Sequence, residues 1–249
     1  MKIGNTDIID MKIGSSQINK VMQGDNLVWE KPSAEDAKYI YVGGDSLEIK
    51  KYLKSDMSYV GSTSVHNAYT RVITLDDTYI YATGNYEIKK YLKSDMSYVG
   101  QTANYGGAVY TMAMDDNYIY VGGSANRVKK YLKSNLVYTA QGVNNGYIIR
   151  SIVLDSAYVY IGLDSGYVRR FVNYELNTYS QVNYGGTIYT MAVDDTYLYV
   201  GGTDFSIRKY IKSALYEVGL IVYGGIPYSL VVDDTYIYSG GSSSVIRKH

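Results

Sequence analysis

Hydrophobic and polar residues alternate with a period of two over almost the whole chain, in short runs broken by glycine, aspartate and asparagine. Period two places successive side chains on opposite faces of an extended strand. No stretch carries the 3.6-residue apolar spacing of an amphipathic helix. The pattern predicts an all-β chain of many short strands joined by tight turns.

The runs repeat. Tyr-X-Tyr, with X apolar, occurs at Tyr39-Ile40-Tyr41, Tyr79-Ile80-Tyr81, Tyr118-Ile119-Tyr120, Tyr158-Val159-Tyr160, Tyr197-Leu198-Tyr199 and Tyr236-Ile237-Tyr238, at intervals of 39 or 40 residues. Residues 48–61 (EIKKYLKSDMSYVG) recur unchanged at 87–100. Each unit reads as four strands. The first resembles 188–193 (IYTMAV) and is followed by an Asp-Asp turn; the second is 197–200. A Gly-Gly loop leads to a third, 207–212 (IRKYIK), and a fourth, 216–222, ends in a Tyr-Gly-Gly loop. Four short strands in about 40 residues is the period of a β-propeller blade.

Tyr197 and Tyr199 fall on one face of their sheet, and Leu198 and Val200 on the other. A lone sheet would leave both faces wet. Covering one such side chain is worth about 1.5–3 kcal/mol, so neighbouring sheets must shield one another, and a ring would leave no bare end. The second and third strands occur six times, the first and fourth five times. The expected fold is therefore a six-bladed propeller of four-stranded blades over residues 37–249, with five blades as the alternative. In the six-blade arrangement residues 17–22 (QINKVM) supply the missing fourth strand and residues 26–30 (NLVWE) the missing first, clasping the two ends together.

Composition sharpens this. The chain holds 32 tyrosines and only two prolines, with 25 glycines. Tyrosine suits a pleated, half-buried surface. Charges balance at 24 basic and 24 acidic residues, which gives no bulk attraction to nucleic acid or anionic membrane. There is no cysteine, so disulfides and thiolate metal sites are excluded. No apolar run approaches the roughly 18 residues of a membrane span, and the start lacks the continuous apolar stretch of a signal peptide.

A shorter repeat precedes the blades: KIGNTDIIDM, KIGSSQINKV and MQGDNLVWEK, with Gly4, Gly14 and Gly24 ten residues apart. Each unit is a turn-like Gly-polar-polar followed by an alternating strand. Residues 31–36 (KPSAED) read as a linker. The stretch KIGSSQINKVMQGDNLVWE resembles the Gly-repeat module that opens many tail and other virion proteins of phages infecting low-GC Gram-positive bacteria. The resemblance covers residues 1–30 and implies an attachment element, with Ile3, Ile8, Ile13, Ile18 and Trp29 as its partner-binding residues. Residues 17–30 can serve as that module or as the clasp. The rest of the chain resembles propellers with DD-x-Tyr-Ile-Tyr-Val-Gly-Gly repeats. It departs from WD40 repeats, because Trp29 is the only tryptophan and the blades hold no Trp-Asp pair.

Three recurring groups could carry chemistry. The pairs Asp76-Asp77, Asp115-Asp116, Asp194-Asp195 and Asp233-Asp234, with Asp155-Ser156, read as turn formers or as a ring of weak cation sites. Seventeen of the 24 basic residues lie on the third strands, from Lys50, Lys51 and Lys54 to Arg247 and Lys248. They read as a solubilising edge or as a belt for an acidic partner. The loops Tyr105-Gly106-Gly107, Tyr184-Gly185-Gly186 and Tyr223-Gly224-Gly225 are the ligand candidates, with Asn104, Tyr105, Asn183, Tyr184 and Tyr223 stacking on and hydrogen-bonding sugar rings. Glycine in these loops also permits a positive φ.

Catalysis lacks parts: only His66 and His249 are present, and no phosphate loop or metal spacing occurs. The expected protein is non-enzymatic, with no cofactor and no metal. It is a phage virion component of the tail, baseplate or capsid, present in multiple copies, attached to other virion proteins and assembled in the host cytoplasm. The alternatives are a carbohydrate-binding propeller that recognises the host surface and a cytoplasmic scaffold.

Overall fold

The computed structural model describes residues 38–249, apart from Ser46, residues 64–68, Asn85, residues 173–174, Asp234 and Ser244, together with six short backbone strands in the first 37 residues. Apart from Lys38, whose backbone is helical, every element among the described residues is a β-strand.

The first six strands form three antiparallel hairpins. β1 (Lys2–Ile3) pairs with β2 (Thr6–Asp7), β3 (Met11–Ile13) with β4 (Ser16–Ile18), and β5 (Lys20–Gln23) with β6 (Asn26–Glu30). The pairs Ile3↔Thr6, Ile13↔Ser16 and Gln23↔Asn26 bracket the dipeptides Gly4-Asn5, Gly14-Ser15 and Gly24-Asp25. Gly-X is the sequence of a two-residue hairpin loop. The Gly repeat thus encodes hairpins with a strand on each side of the glycine. The strands described within 17–30 pair among themselves and with β3. The clasp is therefore absent from the described pairings.

Six antiparallel sheets follow, arranged as propeller blades. The first holds β7 (Tyr39–Val42), β8 (Lys50–Leu53) and β9 (Tyr59–Ser62). The second holds β10 (Ile73–Leu75), β11 (Tyr79–Thr83), β12 (Ile88–Leu92) and β13 (Tyr98–Gln101). The third runs β14 (Val109–Met114), β15 (Tyr118–Gly123), β16 (Lys129–Leu132) and β17 (Tyr138–Gln141). The fourth runs β18 (Ile149–Leu154), β19 (Tyr158–Leu163), β20 (Tyr167–Val172) and β21 (Tyr179–Asn183). The fifth runs β22 (Ile188–Val193), β23 (Tyr197–Gly202), β24 (Ser206–Ile211) and β25 (Tyr216–Val222). The sixth holds β26 (Pro227–Val232), β27 (Ile237–Gly241) and β28 (Arg247–Lys248). The five-blade alternative is thereby set aside. The first strands of successive sheets approach one another, which makes them the inner strands.

Alternation along the second strand divides the core between neighbours. Ile119 and Val121 pack back against Tyr81 and Ile88 of the second sheet. Tyr120, between them, packs forward against Ile149 and Val159 of the fourth. Leu198 and Val200 likewise meet Tyr160 and Val168, while Tyr199 meets Leu230. Threonine side chains link the inner strands of neighbouring sheets: Ile152 N–H donates to Thr111 Oγ1 at 2.9 Å, and Leu230 N–H to Thr190 Oγ1 at 3.0 Å.

The two ends of the row are bare. Ile246 occupies the position held by Ile49, Ile88, Val128, Val168 and Ile207 in the other sheets. Those five are at most 1% exposed, whereas Ile246 is 84% exposed. At the other end Val42 is 46% exposed, where Ala82, Val121, Ile161 and Val200 are at most 1%. Among the described residues each end sheet has three strands rather than four.

Candidate functional site

The aspartates after the inner strands are turn formers with a second task. Asp76 Oδ1 accepts the N–H groups of Thr78 (3.0 Å) and Tyr79 (2.8 Å), and its Oδ2 accepts the Tyr81 hydroxyl at 2.9 Å. Asp115 repeats this with Asn117, Tyr118 and Tyr120, and Asp194 with Thr196, Tyr197 and Tyr199. Asp155 does the same in the fourth sheet. The second members, Asp77, Asp116 and Asp195, are exposed. Because both oxygens of the first aspartate already accept donors, little is left for a cation. No group of three or more His, Cys, Asp or Glu side chains assembles among the described residues.

These carboxylates are paired across sheets. Lys133 Nζ lies 3.3 Å from Asp76, and Lys212 Nζ lies 2.9 Å from Asp155. Burial works against the charge of Asp76, yet the Tyr79 and Thr78 N–H groups, the Tyr81 hydroxyl and Lys133 hold its carboxyl below its ordinary value. For Asp155 burial is likewise outweighed, by Lys212 and the N–H groups of Ala157 and Tyr158.

Many of the third-strand cations are drawn into the joints between sheets, while Lys54 and Lys248 are exposed. Lys51, Lys89, Lys90, Lys93 and Arg169 are buried. Lys90, opposite Tyr81 in the ladder, stands 3.8 Å from the Tyr79 ring centroid and 5.4 Å from that of Tyr81. Lys130 covers Tyr118 at 3.6 Å, Lys209 covers Tyr197 at 3.7 Å, and Arg170 covers Tyr158 at 4.6 Å. Their tips cross to the next sheet: Lys51 donates to the Lys93 carbonyl at 2.6 Å, Lys90 to that of Lys133 at 2.8 Å, and Arg170 to that of Lys212. Two tyrosines per blade thus cradle a cation that ties neighbouring sheets. Periodicity alone hid this, because a lysine opposite a tyrosine reads as an outward charge until the adjoining sheet is in place.

The Tyr-Gly-Gly loops fill the joints between blades. Tyr105, Tyr184 and Tyr223 are at most 1% exposed. Their hydroxyls donate to the carbonyls of Arg127 (2.6 Å), Ser206 (2.8 Å) and Val245 (3.1 Å). A ring with no open face cannot stack on a sugar, so the ligand role drawn for these three residues does not hold. Asn104 and Asn183 are exposed, but each turns its Oδ1 to a local N–H, that of Gly106 at 2.6 Å and that of Gly185 at 2.8 Å. Gly185 has φ +99°, and a Cβ on Gly202 would lie 2.0 Å from the Thr187 carbonyl oxygen. Both glycines are required by backbone geometry.

The attachment residues Ile3, Ile8, Ile13, Ile18 and Trp29 have side chains outside the described residues, as does His66. His249 Nε2 lies 2.9 Å from Ser239 Oγ.

Two groups escaped the sequence reading. The outer strands expose Tyr59, Val60, Tyr98, Val99, Tyr138 and Tyr216. The inner strands present a row of bulged residues. The ladder slips between Val109 and Thr111, Ile149 and Ser151, Ile188 and Thr190, and Pro227 and Ser229, which releases Tyr110, Arg150, Tyr189 and Tyr228 from pairing. Arg71 holds the same place before β10. The guanidinium carbons of Arg71 and Arg150 stand 5.3 and 4.8 Å from the Tyr110 centroid, and the Tyr189 and Tyr228 rings are 5.2 Å apart. The signal was there in the repeat: Arg71 and Arg150 break a column otherwise filled by tyrosine.

No protein-family model and no curated protein sequence matches the chain. Solved structures do. The computationally designed Ika8 protein matches with a TM-score of 0.74 at 12% identity, over 85% of this chain and 67% of the other. The WD40 β-propeller domain of Doa1 matches with a TM-score of 0.74 at 12% identity, over 87% of this chain and 76% of the other. The likeness is one of fold: a WD40-like β-propeller.

Proposed function

We propose that this protein is a non-enzymatic attachment scaffold that holds other proteins against its outer strands. The observation that supports this reading is the recurrence, blade after blade, of exposed tyrosine beside an exposed aliphatic residue: Tyr59 with Val60, Tyr98 with Val99, Tyr138 with Val137. An outer strand also offers unpaired main-chain donors and acceptors. Tyrosine gives a large amphipathic contact area and is enriched in protein interfaces. The resemblance of residues 1–30 to virion Gly-repeat modules supports the further reading that the scaffold belongs to a phage particle, seated through its hairpins among tail, baseplate or capsid neighbours.

The test is incorporation. A variant carrying Tyr59→Glu, Tyr98→Glu and Tyr138→Glu should fold, as judged by its melting curve, yet be lost from particles that contain the wild-type chain. Wild-type incorporation of that variant, or the absence of the chain from purified particles, would refute the reading.

A further inference from the structure

The row of inner-strand residues is independent of the outer rim and has a chemistry of its own. Bulged residues leave the ladder and re-aim their side chains. Here four successive bulges, and Arg71 in the same column, bring two arginines and three tyrosines onto the inner strands. None of β14, β18, β22 and β26 contains an acidic residue. Two other guanidinium groups in the blades are engaged: Arg169 bonds Gln181 and Asn145, and Arg208 bonds Asp204 and Glu217. Among the described residues Arg71 and Arg150 have neither a hydrogen bond nor an ion pair from their side chains, and Arg150 Nε is buried without an acceptor.

We infer that this column is a binding site for a small molecule carrying a carboxylate or phosphate group. The Tyr110 ring holds both guanidinium groups by cation–π contact. A guanidinium offers five donors in a planar fork that matches two oxygens of one oxyanion. The phenols of Tyr110, Tyr189 and Tyr228 add hydroxyl donors. The set supplies positive charge and donors and no carboxylate, so it selects an acceptor-rich anion. Arg150 is the central contact, because its guanidinium lies nearer the Tyr110 ring than that of Arg71 and has no carboxylate partner among the described residues.

The probes are inorganic phosphate and malonate, titrated calorimetrically at low ionic strength into the full chain. The wild type should bind at least one of them saturably, and the preference between the two assigns the group as phosphate or carboxylate. Arg150→Gln and Arg71→Gln should each weaken that binding at least tenfold with little change in melting temperature. Arg150→Lys, which keeps the charge but loses the planar fork, should fall between. Should Arg150→Gln fail to fold, Arg71→Gln, at an exposed position, carries the test. No saturable binding of either probe by the wild type, or unchanged affinity in both glutamine variants, would overturn the proposal.

Discussion

Lys212 Nζ lies 2.9 Å from the Asp155 carboxylate of the preceding sheet and donates at 2.7 Å to the main-chain carbonyl of Asp194 in its own. One ammonium therefore ties two successive Asp turns together, and Arg170 returns the link by donating to the Lys212 carbonyl. Lys133, Asp76 and Lys90 repeat this between the second and third sheets.

Removing this cation should loosen the joint between sheets. A hydrogen bond to a charged group contributes about 1.5–3 kcal/mol. Lys212→Met should cost about that much in urea unfolding. Combining it with Asp155→Asn should cost less than the sum of the two single changes, because both remove the same contact. Full additivity would show that the pair contributes nothing.

Stability should fall in acid. Asp76, Asp155 and Asp204 have carboxyls held below their ordinary 3.8 in the folded chain. A depressed folded value means that the unfolded chain takes up protons first as pH falls. The stabilisation is complete well above pH 3.8 and drains away as pH drops through and below it. The urea midpoint should be flat between about pH 7 and 5 and decline below about pH 4, with a shallower decline in Asp155→Asn.

The alkaline limb has the opposite sign. Burial pushes the phenols of Tyr91, Tyr131 and Tyr210 up to about 12. An unfolded tyrosine ionises near 10, so the unfolded chain releases protons first and stability falls as pH rises from 10 towards 12. Part of the phenolate absorbance should appear only above pH 10, in step with loss of structure. A smooth titration of all tyrosines near 10 would contradict the buried positions.

Position in the row should decide the weight of equivalent residues. Ile207 is fully buried between the fifth and sixth sheets, and Ile246 holds the same place on the bare end. Ile207→Ala should cost about 2–5 kcal/mol, and Ile246→Ala no more than about 0.5 kcal/mol. Equal costs would mean that something covers the sixth sheet in solution.

Tyr184 acts as a joint pin, so its hydroxyl should matter to stability. Tyr184→Phe leaves the Ser206 carbonyl without its 2.8 Å donor and should cost about 1 kcal/mol in thermal unfolding. A stability equal to wild type would show that this hydrogen bond contributes nothing.

The blades were legible in the chain because their information is local and repeated. Period two set the strands, the 39- or 40-residue interval set the six sheets, and Asp-X-X-Tyr set the turns. The split of Leu198 and Tyr199 between two neighbouring sheets also followed from alternation alone. What the third-strand lysines do was not legible, since their acceptors are carbonyls some 42 residues away and no periodicity reports a partner on the next sheet. The Tyr-Gly-Gly rings were misread for the same reason: a tyrosine beside two glycines looks exposed until the following blade closes over it. By itself the sequence determined the strands, the turns and the number of sheets, because backbone sterics and side-chain alternation act between near neighbours. Only the tertiary structure decided which tyrosines are covered, which cations are spent between sheets and which arginines are left without an acceptor, because burial and pairing depend on what lies across the joint.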